Sequence, residues 1–206
     1  MPRAGLNPAA VVAEAARLAD DDGYDQLTLA ALAGRLGVAI PSLYKHIDGL
    51  TGLRRLLAVQ VVRELGQEIA RAVMGRSGPD AVSALAVAYR RYALRHPGRY
   101  PALVAAPDPD DQALIAASEE VLSVIYAVLR GYGIEGTDAV DAARALRSAL
   151  HGFVMLEIGG GFGLPRELVR SFEAMVAGLE VALASWTRPE RPRNRRTAAV
   201  RTGGSR

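Results

Sequence analysis

The chain has 206 residues, half of them apolar and only 5% aromatic, which is room for one ordinary domain or a small one joined to a medium one. Cysteine is absent, excluding a disulfide frame and thiol chemistry. No run approaches the ~20 continuous apolar residues of a membrane span and no signal-peptide pattern opens the chain, so a cytoplasmic protein without membrane contact is expected. The net charge of +3 is a poor guide. Residues 188–206 hold seven arginines against one glutamate, while the rest carries 18 basic against 21 acidic side chains, so bulk charge does not argue for nucleic acid.

Asn7 and Pro8 open a first helix, which runs to Asp22 and stops at Gly23. Thr28 is a suitable N-cap for a second helix, with Leu29, Leu32, Ala33 and Leu36 on one face and Gly37 as its left-handed terminator. Pro41 sits where a short third helix loses no hydrogen bond, and Leu43 and Ile47, four apart, hold that helix to a core. Ser42, Tyr44, Lys45 and His46 are left on its other faces. A short helix bearing hydroxyls, a cation and an imidazole on a two-helix support suits a major groove.

A longer helix is expected from Leu50 towards Val73, with a break at Gly75–Pro79. Helices then follow over Asp80–Arg95, Tyr100–Ala105 and Gln112–Leu129, the last after the loop Pro107–Asp111. Thr137 caps a helix reaching Ile158, ended by Gly159–Gly161, and a last helix runs from Pro165 to Trp186. Residues 188–206 lack apolar periodicity and are expected to be disordered. The fold expected is all-α, divided at 1–50, 51–187 and 188–206.

Gly23, Leu27–Thr28, Leu32–Ala33, Leu36–Gly37–Val38, Leu43–Tyr44, His46 and Leu53 form a pattern that resembles the amino-terminal domain of the TetR family of transcriptional regulators. His151–Pro165, HGFVMLEIGGGFGLP, resembles the carboxy-terminal domain of a subgroup with an His-Gly…Gly-Phe signature. The resemblance implies an all-helical homodimer that represses transcription from a double-stranded DNA operator and lets go when a small-molecule effector enters the second domain. It places Thr28, Ala39, Ile40, Pro41, Ser42, Tyr44, Lys45 and His46 at the DNA. Lys45, the chain's one lysine, would meet the backbone or a guanine; Tyr44 and His46 would meet phosphates; Thr28 would offer a phosphate its hydroxyl and the helix-start N–H groups. Three positions depart from the family pattern. Ala39 replaces a capping Ser or Thr, Ile40 offers a base only apolar contact, and Leu50 replaces a phosphate-binding lysine. Base preference per contact should therefore be modest.

In the second domain Leu85, Tyr89, Tyr92 and His96 fall on one helix face. Such a stripe is either core or cavity lining; with the resemblance, Tyr89, Tyr92, His96, Arg147 and His151 become candidate effector contacts. Leu168, Phe172, Met175, Leu179 and Leu183 form the apolar stripe expected at a dimer interface. Asp108, Asp110 and Asp111 read as helix N-terminal charge rather than a metal site, and His46, His96 and His151 lack ligand spacing. No catalytic constellation, metal or cofactor motif is found, and the chain reads as no enzyme. The alternatives are a helical carrier or enzyme with a vestigial DNA-binding module, and a nonspecific DNA-packaging protein using its arginine tail.

Overall fold

The computed structural model describes residues 6–104 and 108–186. The expected disorder of 188–206, and the end of the Tyr100–Ala105 helix, lie outside the described residues. Within them are eight α-helices, two 3-10 turns (Tyr24–Gln26 and Tyr100–Leu103) and no strand. The helices are α1 (Pro8–Asp22), α2 (Leu29–Leu36), α3 (Ile40–Leu43), α4 (Gly49–Val73), α5 (Gly78–Arg95), α6 (Gln112–Arg130), α7 (Gly136–Ile158) and α8 (Leu168–Ala184).

The expected caps are present in the first unit. Asn7 accepts from the Ala10 N–H at 2.9 Å, Thr28 Oγ1 from the Ala31 N–H at 3.1 Å, and Gly37 adopts φ 65°, ψ 35°. Val11, Ala15, Leu18 and Ala19 of α1 join Leu32, Leu43 and Ile47 in the core. Leu32 and Leu43 have no exposed surface, each burial being worth about 2–3 kcal/mol. α4 is 25 residues long, ~37 Å, and belongs to both units. It packs on α1 and along α5 and α6, burying Leu53, Leu57, Val61, Leu65 and Ile69 at four-residue intervals. Gly66 brings α4 and α6 together: a Cβ there would lie 2.5 Å from Val121 Cγ2.

α5, α7 and α8 complete the second unit, α8 packing on α5 and α7. The last helix begins at Leu168, three residues later than expected. Leu164 is 85% exposed, so no burial there offsets the cost of nucleating an earlier turn. α6 is long and apolar enough to cross a membrane by length and composition, although Glu119 and Glu120 interrupt its apolar run. Its apolar positions, among them Leu114, Val121 and Ile125, instead pack in the second unit and line a cavity.

Candidate DNA-reading face and effector cavity

Burial of Leu43 and Ile47 orients everything around them. Thr28, Ala39, Ile40, Pro41, Tyr44 and Lys45 are exposed, and Ser42 and His46 are half-buried. The helical part of the reading segment is short, Ile40–Leu43, and Tyr44–His46 continue it as turns, with the His46 N–H on the Leu43 carbonyl at 2.8 Å. Ala39 gives α3 no side-chain cap, as its sequence predicts. Tyr44 is 59% exposed and Ile40 39%.

The surrounding charges are mostly used internally. Arg35 of α2 meets Glu14 and Asp21 of α1, both at 2.7 Å, clamping the two helices. Burial opposes ionisation of Glu14, but hydrogen bonds from Arg17 and Arg35 prevail and hold its carboxyl below the usual range. Arg55 forms an ion pair with Asp111, its Nε 2.7 Å from Oδ2. Lys45 forms no ion pair among the described residues, so its charge is available to a phosphate.

Two contacts tie this unit to the second. Asp20, at the end of α1, accepts from the Arg99 backbone N–H at 3.0 Å and from Arg99 Nε at 2.8 Å, and lies 2.9 Å from His96 Nδ1. Arg99 also meets Glu64 of α4 at 3.2 Å, and the Tyr92 hydroxyl donates to the same carboxylate at 2.8 Å. Residues 96–99 lie directly on α1, because Gly98 has no Cβ; one built there would fall 1.9 Å from the Ala19 carbonyl oxygen. The second tie is Asp111. Its Oδ1 caps α6 by accepting from the Leu114 N–H at 3.1 Å while Oδ2 holds Arg55. The expected helix-start role of this acidic loop is thus filled by Asp111, with Asp108 accepting from the Asp110 N–H at 3.0 Å. No metal-holding group of acids or histidines occurs among the described residues.

A cavity of about 350 Å³ lies between α4, α5, α6 and α7. Leu65, Ile69, Leu85, Leu114, Ile125 and Leu150 make its body; Tyr89, Ser118, Glu119 and Arg147 bring polar atoms to it. Behind Tyr89 runs a relay: its hydroxyl is 2.8 Å from that of Tyr100, which is 2.8 Å from His151 Nδ1. The Tyr100 and His151 rings stack at 5.5 Å. Arg147 Nη2 donates to the Leu103 carbonyl at 2.8 Å. Of the five candidates for effector contact, Tyr89 and Arg147 line the cavity and His151 stands behind Tyr100. Tyr92 and His96 do not line it. They share the stripe of Tyr89, but His96 is seven residues, ~10 Å, further along α5, where that face meets Glu64 and Asp20. Tyr100, Arg99, Asp20 and Glu64 were not singled out from sequence. The run His96–Pro97–Gly98–Arg99–Tyr100 marks a tight connection, but nothing local to it points to an acid 79 positions away.

Burial, then the Arg147 charge, pushes the His151 imidazole below its ordinary value. The unfolded chain therefore takes up this proton first, and the stability present above pH about 6.5 is lost as pH falls through the lower folded value. Melting curves of wild type and His151→Asn between pH 7 and pH 5 should converge on acidification, because the variant lacks this loss. Parallel curves would show that His151 is not shifted.

The outer face of α7 and α8 differs from the stripe expected for a dimer. Phe172 and Leu183 are each 3% exposed within the single chain, turned onto α5 and α7, and Leu168, Met175 and Leu179 are half-buried. Phe172 packs on Phe153 at 5.2 Å and beneath the Arg90 guanidinium at 5.1 Å. Arg90 in turn pairs with Glu157, its Nε donating at 2.7 Å. The large apolar residues left outside on α7, α8 and their connection are Met155, Leu156, Phe162, Leu164, Val169 and Val181.

Residues 11–48 match the family model for bacterial regulatory proteins of the tetR family, and residues 82–179 that for the tetracyclin repressor-like C-terminal domain. An uncharacterized HTH-type transcriptional regulator of Mycobacterium tuberculosis is 42% identical over 76% of this chain and 72% of its own length. Another, YobS of Bacillus subtilis, is 37% identical over 82% and 88%. Among solved structures, a Rhodococcus protein of unknown function superposes with a TM-score of 0.73 at 23% identity, over 89% of this chain and 98% of that one. A TetR variant of Acinetobacter baumannii in complex with minocycline superposes at 0.62 and 21% identity, over 88% and 94%. With both of its domains matched in order and two regulators alike over most of their length, the chain belongs to the TetR family of DNA-binding transcriptional regulators.

Proposed function

We propose that the protein is a homodimeric cytoplasmic repressor that holds a palindromic operator with Tyr44, Lys45 and their neighbours and releases it when a mainly apolar effector enters the second domain. The observation that carries this reading is the pairing of an exposed Ile40–Pro41–Tyr44–Lys45 surface with the fully buried Leu43 beneath it, which holds a short reading segment rigidly outward. The apolar cavity and the minocycline bound by a structural neighbour support a small-molecule effector. Exposed Leu156 and Val181 support a two-fold pairing through α7 and α8.

Release follows from differential binding: the effector must prefer the dimer whose reading segments are misplaced. α6 walls the cavity and is capped by Asp111, which grips Arg55 beside the reading segment, so a shift of α6 reaches α4 and then α3. A selection of genomic fragments with purified protein should enrich one palindromic sequence with half-sites about 34–36 Å apart or slightly more. No enrichment would remove the repressor reading and leave a carrier or enzyme.

Lys45→Ala should weaken operator binding and reduce the slope of log affinity against log salt by about one unit, the loss of one phosphate contact. Ser42→Ala should act mainly on sequence preference, read as the operator-to-random ratio in the same titrations. Equal losses on both DNAs for both variants would put the reading face elsewhere.

A further inference from the structure

The cavity's polar atoms are not equally available. Ser118 Oγ is spent on the Leu114 carbonyl of its own helix at 2.8 Å, and the Tyr89 hydroxyl on Tyr100. Arg147, an exposed residue, is the one cation among the described lining residues; its hydrogen bond to the Leu103 carbonyl anchors one end of the guanidinium and leaves its other donors over. The better-buried arginines of this unit are matched, Arg90 by Glu157 and Arg99 by Asp20 and Glu64. Arg147 has no carboxylate partner among the described residues. Its inner neighbours Tyr89, Tyr100 and His151 are uncharged at neutral pH, so none of them offsets its charge.

Resting on the effector reading above, we propose that the effector is an amphipathic carboxylate whose acid group is held by Arg147 while its apolar body fills the space between Leu65, Ile69, Leu85 and Ile125. A guanidinium fork beside neutral hydrogen-bonding groups matches a carboxylate in shape and charge. At the packing density of protein interiors, about 350 Å³ takes roughly a dozen non-hydrogen atoms, the size of a ten-carbon fatty acid or a short phenylalkanoic acid. Glu119, the acid of the lining, is carried by α6 and Arg147 by α7, and charge alone directs the carboxylate end of the ligand to Arg147.

Calorimetry on the full chain at neutral pH with decanoate and decanamide, and with 4-phenylbutanoate and its amide, tests this. At least one acid should bind about tenfold tighter than its amide, and Arg147→Gln, which keeps a donor for the Leu103 carbonyl, should erase that preference while leaving amide binding within about twofold. Should that variant fold poorly, Glu119→Gln should tighten acid binding and leave amide binding unchanged. Amides binding as well as acids, or equal losses of both in Arg147→Gln, would overturn the carboxylate and leave the effector cavity standing. Binding of neither acid nor amide would overturn both.

Discussion

Gly98→Ala should lower the melting temperature by about 10 °C and weaken operator binding with it. The new methyl carbon would sit 1.9 Å from the Ala19 carbonyl oxygen and 2.6 Å from the Asp20 Cα, backbone atoms of a helix that cannot swing aside as a side chain can. Residues 96–99 must therefore withdraw from α1, which costs about 3 kcal/mol, the upper end for overpacking, and in a chain of this size each kcal/mol moves the midpoint by about 2–4 °C. Withdrawal also separates Arg99 from Asp20, so the reading unit loses its support from the second domain. Gly34→Ala is the control. It lies within α2, where an added methyl would meet no atom within 4 Å, and alanine there should stabilise by roughly 0.5–1 kcal/mol. Thermal melts of both variants, with operator titrations of Gly98→Ala, check the pair; a Gly98→Ala midpoint at the wild-type value would show that the 96–99 connection does not bear on α1.

Leu156→Glu combined with Val181→Glu should convert the protein to a monomer and reduce operator affinity at least a hundredfold. Both positions are exposed in the single chain, 50% and 69%, so the protomer should fold with little change. Across a two-fold each charge would be desolvated without a partner, which breaks the pairing. A lone protomer then holds one half-site and forfeits the effective concentration that tethering gives the second, a factor of about 10² or more. Sedimentation equilibrium and fluorescence anisotropy read the two effects. Charged substitutions at Phe172 or Leu183 would be uninformative, since both are 3% exposed inside the protomer and their loss would unfold it. A wild-type protein monomeric at micromolar concentration would remove the two-fold architecture.

The amino-terminal unit was legible because its information is local. Thr28 and Gly37 mark the ends of α2 by their own chemistry, and Leu43 and Ile47 declare the buried side of the reading segment by spacing alone. Tyr89 was found for the same reason, but the stripe that revealed it does not say where along α5 the cavity ends, so Tyr92 and His96 were grouped with it. On α8 apolar residues occupy most of the circumference, and spacing cannot say which side a helix gives to its own protomer. Phe172 went inward because α5 and α7 offer Arg90 and Phe153 to receive it, and Leu183, about three turns on, is buried on the same protomer. The Asp20–Arg99–Glu64 cluster brings together residues from α1, the 96–99 connection and α4, whose adjacency only the fold creates.

That cluster bears on any attempt to build hybrid regulators by transplanting reading heads between relatives. A cut at residue 50 would take position 20 from one parent and position 99 from the other, and would divide α4 from its first turn. A donor head with no acid at position 20 leaves Arg99, 9% exposed, facing an empty seat, and one with a bulkier last turn on its first helix meets Gly98's neighbours head-on. A transplant that keeps this contact should therefore exchange residues 96–99 together with the head. The functional seam of this protein runs through the 96–99 connection as much as along the chain.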